Sequence, residues 1–146
     1  MDDTQARLLD TDFDEFSTFT SSDTLQNWLY DRIKWTFKNL SIRGFIVDCP
    51  QSERMGYGGD AHATSEMGMF NFDLGSFYTK WMQDWRDVQG TEPMVGNMND
   101  PSYARKEITS GRIFTNGFLP HTAPTYWGGG VPPWRGIVVT LPWFLY

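Results

Sequence analysis

The chain has 146 residues, enough for one ordinary domain with a real core. Its 40% hydrophobic and 21% charged residues mark it as globular rather than disordered. Twelve basic against eighteen acidic residues give a net charge of −6, which argues against a nucleic-acid partner, since no basic stripe exists to displace counterions. No apolar run approaches about 18 residues, so no membrane span is expected. Cys49 is the single cysteine, so no intrachain disulfide forms. The start, Met1 followed by Asp2 and Asp3, lacks the basic-then-apolar pattern of a secretory signal; the compartment stays open.

Residues 1–22 are acidic, rich in Thr and Ser, and read as a lead-in segment. Asp10, Asp12 and Asp14 alternate like the start of a calcium loop, but Glu15 replaces the required Gly and Ser21 the required Glu, so no metal site is expected there. A helix is predicted over 23–40, with Asp23 and Gln26 resembling a capping box and Leu25, Trp28, Leu29, Ile33, Phe37 and Leu40 on one face. Ser41 to Gly44 ends it, and Phe45 to Val47 form a short apolar run. A second helix is predicted over 61–70, weakened by Gly68. A third carries Leu74, Phe77, Tyr78, Trp81, Met82, Trp85 and Val88 at helical spacing and stops at Gly90. Residues 90–132 read as a long irregular connection containing the run from Tyr126 to Gly130; such connections are usually functional or mobile. Pro133 opens a last helix with Trp134, Ile137, Val138, Leu141 and Leu145. Helices joined by long Gly- and Pro-rich loops predict an all-α fold.

The segment from Asp48 to Asp60 (DCPQSERMGYGGD) stands apart. Thirteen residues hold three carboxylates, Arg54, Tyr57 and three glycines. Polar groups crowded onto glycine-loosened backbone between helices look like a site. On the residues alone, Glu53 and Arg54 also fit a solvated loop pair, Asp60 a helix cap, and Trp134 a core position. The aromatic content of 16% suits sugars as well as a core, because a flat ring packs against the C–H face of a pyranose. His62 and His121 belong to no triad or metal cluster and are expected to pack or lie at the surface. Cys49 is expected to be a small buried thiol rather than a nucleophile. The glycine run lacks a phosphate-loop Lys and dinucleotide spacing, so no nucleotide cofactor is expected.

This segment resembles the signature of the inverting α-L-rhamnosidases of glycoside hydrolase family 78. The resemblance continues through Asn71 to Asp73, Phe77 to Trp81, Asp84, Asp87 and Gln89, then Leu119, Pro120, Trp134 and the run from Pro142 to Tyr146. It covers residues 23–146, and two departures stand within it: Tyr57 where many members carry Trp, and Ser52 where Arg is common. It implies the N-terminal part of an (α/α)6 barrel of six helical hairpins, acting on terminal α-linked rhamnose. Glu53 then matches the general acid, and Asp48, Arg54, Tyr57, Asp60 and Trp134 surround the sugar. Asp48 and Asp60 would raise the pKa of Glu53, and Arg54 would oppose that if it points inward. The family's base lies on a later segment with no counterpart here. The fragment alone is therefore expected to be a poor catalyst that needs the rest of the barrel or an oligomeric partner. The same resemblance implies uncovered inner faces, and exposure of Trp81 and Trp85 is the expected sign of it. The alternative is a non-catalytic carbohydrate-binding module.

Overall fold

A computed structural model describes residues 11–89, 94–95, 113–114, 117, 119–125 and 132–146. The run from Tyr126 to Gly130 and the position of Asp10 lie outside the described residues. The architecture is helical. Helix α1 (Thr24–Leu40) leads through a hairpin of β1 (Ser41–Ile42) and β2 (Phe45–Ile46) to the acidic loop. Helices α2 (Gly58–Asn71) and α3 (Gly75–Asp87) follow, then a second antiparallel pair, β3 (Met94–Val95) with β4 (Ile113–Phe114), and finally α4 (Pro132–Arg135) and α5 (Ile137–Leu145).

Local chemistry sets the boundaries. Asp23 caps α1 by accepting the Leu25 N–H at 2.8 Å. The hairpin after α1 was not anticipated. Arg43 and Gly44 both have positive φ, 61° and 83°, as a tight two-residue turn requires, and Ser41 pairs with Ile46 across it. Helix α2 begins three residues before the predicted start, because Gly58 and Gly59 join its first turn. Asp73 accepts the Gly75 N–H at 3.2 Å and opens α3. The last helical stretch runs from Pro132, with Pro142 inside α5.

The core is largely aromatic. Phe37 stacks on Phe72 with centroids 5.5 Å apart, and Phe13 meets Phe77 edge-on at 5.3 Å. Tyr78, Trp81, Trp85, Leu74, Ile46, Ile137 and Leu141 complete it. Phe13 ties the segment ahead of α1 into this core. The buried Asn71 reinforces the tie: its side-chain oxygen accepts from Tyr30 Oη at 2.6 Å and Ser17 Oγ at 3.0 Å, while its amide donates to the Met67 carbonyl.

The expected exposure of Trp81 and Trp85 is corrected: they are 0% and 1% exposed. Helix α5 packs on α3, and the segment around Ala123 closes over Trp81. Among the described residues, uncovered apolar surface lies instead on α1, where Leu25, Trp28, Leu29, Ile33 and Trp35 are exposed and only Phe37 is buried, at Phe16 and Phe19 ahead of it, at Phe70 near the end of α2, and at Val139 and Trp143 of α5.

Candidate active site

The acidic loop is a closed turn. Asp48 and Met55 bond each other twice: the Asp48 N–H donates to the Met55 carbonyl at 3.2 Å, and the Met55 N–H donates to Asp48 Oδ1 at 3.1 Å. Inside it, the N–H groups of Ser52 and Arg54 both donate to the Cys49 carbonyl. Arg54 has φ of 56°, a left-handed conformation uncommon for a side-chain-bearing residue. Its Nε donates to the Pro50 carbonyl at 2.7 Å, so Arg54 braces its own loop.

The loop is anchored to the core by residues 121–123. The Ala123 N–H donates to the Gly56 carbonyl at 3.0 Å and the Gly58 N–H to the His121 carbonyl at 2.9 Å, with Tyr57 bridged to Thr122 between them. The Ala123 carbonyl accepts Trp81 Nε1 at 2.9 Å. This approach needs glycine: a Cβ on Gly56 would stand 2.2 Å from the Ala123 oxygen. Gly58 and Gly59 likewise admit Trp134, whose carbonyl would lie 2.0 Å from a Cβ on Gly58 and whose ring would lie 3.0 Å from one on Gly59.

These contacts decide where the sequence-predicted residues stand. One carboxylate oxygen each from Asp48 and Glu53 and the Cys49 sulfur lie within 4.8 Å of one another. Glu53 is exposed and Asp48 half-buried. Burial pushes Asp48 upward, but the N–H groups of Cys49 and Met55 and a hydrogen bond with Glu53 outweigh it and hold Asp48 below its usual value. Desolvation raises Asp60, and the charges of Asp48 and Glu53 push the same way. Desolvation followed by the charges of Glu53, Asp48 and Asp60 raises Tyr57, so its phenol is a neutral donor. Asp60 sits in the first turn of α2 but does not cap it; Tyr57 is the N-cap, without a side-chain bond. Trp134 is half-buried between α2 and His121.

Cys49 departs from expectation. It is exposed, because the turn holds it on the solvent side beside the acids. Its hydrogen bond to Asp48, with desolvation and the charges of Asp48 and Glu53, pushes the thiol up to about 11. Asp48, Cys49 and Glu53 could gather a cation by distance, but a thiol that keeps its proton is a poor ligand. Sequence reasoning missed the anchor of residues 121–123, of which the family resemblance carried only the neighbouring Leu119 and Pro120. A cavity of about 730 Å³ between α3 and α5, lined by Met82, Trp85, Leu119 and Tyr146, shares no residue with the acidic loop.

Helices packed on one another and a glycine-rich turn that gathers carboxyl groups make a helical scaffold with an acidic site on one loop. The profile of the bacterial α-L-rhamnosidase six-hairpin glycosidase domain matches residues 14–146, and the chain belongs to that family. It is similar to two α-L-rhamnosidases of Formosa agariphila, 40% identical over 56% of this chain and 29% over 93%. It also resembles the structure of an α-L-rhamnosidase from Dictyoglumus thermophilum, with a TM-score of 0.71 and 32% identity over 93% of this chain. The chain spans only 8% and 12% of the two Formosa proteins and 13% of the solved structure.

Proposed function

We propose that the chain supplies the acid-bearing part of an inverting α-L-rhamnosidase, acting on terminal α-linked rhamnose of glycosides or polysaccharides. The observation that carries this is the meeting of Glu53 with Asp48 on a solvent-facing turn fixed to the core. Glu53 protonates the glycosidic oxygen. Asp48 and Asp60 accept hydrogen bonds from sugar hydroxyls, while Tyr57 and Trp134 offer ring faces to the apolar side of a deoxy sugar. The backbone N–H groups of Cys49 and Met55 favour the ionised form of Asp48, which suits it to accept from a sugar hydroxyl.

Asp48 does not serve as the base. Inverting chemistry places the two carboxyl groups about 6.5–9.5 Å apart to admit a water. Asp48 and Glu53 approach within 4.8 Å, which leaves no such room. A separate carboxylate, from further barrel elements or a second chain, completes the pair. The uncovered stripe on α1 is the surface those elements would cover.

L-rhamnose titrated into the chain is expected to give a saturable change in tryptophan emission, lost in Asp48→Asn and kept in Glu53→Gln. Hydrolysis of an aryl rhamnoside by the chain alone is expected to stay at background; turnover that Glu53→Gln abolishes would overturn the incomplete pair. Grafting the chain onto the remainder of a Formosa relative separates enzyme from binding module: restored, Glu53-dependent hydrolysis supports the first, and sugar affinity without hydrolysis the second. One rival assignment has its own observation, the raised carboxyl of Asp60. In the graft, turnover surviving Glu53→Gln but not Asp60→Asn would move the acid to Asp60.

A further inference from the structure

The ring of His121 meets the ring of Trp134 edge-on, with centroids 5.9 Å apart and planes at 81°. The same residue's carbonyl accepts the Gly58 N–H, so its backbone is fixed to the first turn of α2. The indole also lies against Gly59, where the missing Cβ would stand 3.0–3.2 Å from Cε2, Cδ2 and Nε1. Trp134 thus touches both a bare helical turn and an imidazole ring. The turn is the one that carries Asp60, and it follows the acidic loop directly.

We propose that His121 is a positioning residue for the sugar site, acting through Trp134: its ring and the bare turn at Gly59 hold the indole as a fixed wall beside the carboxylate loop. This rests on the sugar-site reading above. Burial and the charge of Arg135 disfavour protonation of His121, so it meets Trp134 as a neutral ring rather than as a cation. Catalysis by proton transfer at His121 is not part of the proposal. The ring touches Trp134, and an aromatic edge of similar size does the same work. A fixed ring loses no rotational freedom on stacking, which is why its grip is felt in sugar affinity.

The test uses the full chain with free L-rhamnose as probe, and Trp134→Phe to identify the emission of Trp134 by difference. His121→Ala is expected to weaken L-rhamnose binding by about three- to tenfold, the scale of one edge-to-face pair. It is also expected to lower the fluorescence anisotropy of the Trp134 component. His121→Phe, which keeps an aromatic edge, is expected to restore both to within about twofold of wild type. Gly59→Ala, which pushes the ring by a few tenths of an ångström, is expected to weaken binding while leaving far-ultraviolet circular dichroism unchanged. Unchanged affinity and anisotropy in His121→Ala would overturn the proposal, as would a folded His121→Phe as weak as His121→Ala. If His121→Ala fails to fold, His121→Phe and Gly59→Ala decide by the same readouts. If wild type shows no rhamnose response at all, the sugar reading fails, and anisotropy alone still tests the grip on Trp134: a fall in His121→Ala supports it and no change overturns it.

Discussion

Helices α1 and α3 carry the same kind of apolar stripe at the same helical period, yet one is uncovered and the other sealed. On α3, Phe77, Tyr78, Trp81 and Trp85 are buried, pressed between α5 and the segment that anchors the acidic loop. On α1, Leu25 and Trp28 remain 59% and 56% exposed, and the helix is held by Phe37 and by polar ties such as Tyr30 to Asn71 and Lys34 to Glu15. Periodicity identifies the apolar face of a helix. What lies opposite that face is a property of the rest of the fold. The stability of this chain therefore concentrates on α3, and its capacity for association on α1.

Trp81→Ala tests the sealed side most severely. It removes a fully buried ring and the bond to the Ala123 carbonyl, and is expected to cost about 3–5 kcal/mol, read as a collapse of the thermal midpoint. Gly56→Ala drives a methyl into that same carbonyl and is expected to cost about 1–3 kcal/mol. A mild Gly56→Ala would mean the anchor yields easily and the contrast is overstated. Asp23→Ala removes the cap of α1 and is expected to cost about 1 kcal/mol, because α1 has little burial in reserve. Ile33→Glu, on the open stripe, is expected to change stability by less than about 0.5 kcal/mol while reducing self-association in sedimentation; a large loss would show that something covers the stripe. The smallest effect is electrostatic. The hydrogen bond from Lys34, then the charges of Lys34 and Lys38, outweigh partial burial and hold Glu15 below its ordinary value of 4.5. A depressed carboxylate adds stability that is complete above its unfolded pKa and is lost as pH falls through the lower folded value. Amides of α1 are thus expected to exchange faster than those of α3 in acid. Glu15→Gln should remove less than about 0.5 kcal/mol of that difference, since the pair is solvent-screened.

The face of α3 was legible residue by residue, because apolar side chains at helical spacing leave little choice of orientation. The hairpin at Arg43 and Gly44 was not, since an Arg in left-handed backbone carries none of the usual Asn-Gly or Asp-Gly signal. Gly68 looked like a weakness in its helix; in the fold a Cβ there would meet the Phe37 ring at 2.5 Å, so the glycine is a seat for a partner 31 positions away. The carboxylates from Asp48 to Asp60 were legible as a cluster because they share one short segment. The hold of residues 121–123 was not, because backbone hydrogen bonds between distant segments involve no side chain that a sequence displays.

The bond from the Trp81 indole to the Ala123 carbonyl joins the hydrophobic interior to the backbone that shapes the acidic turn. Heating therefore offers this molecule no half-melted yet competent form: whatever ability the turn has to grip a sugar should vanish at the same temperature at which the interior gives way. Substitutions deep in the interior, far from any ligand, should therefore lower the temperature at which recognition is lost by as much as they lower the melting point of the fold.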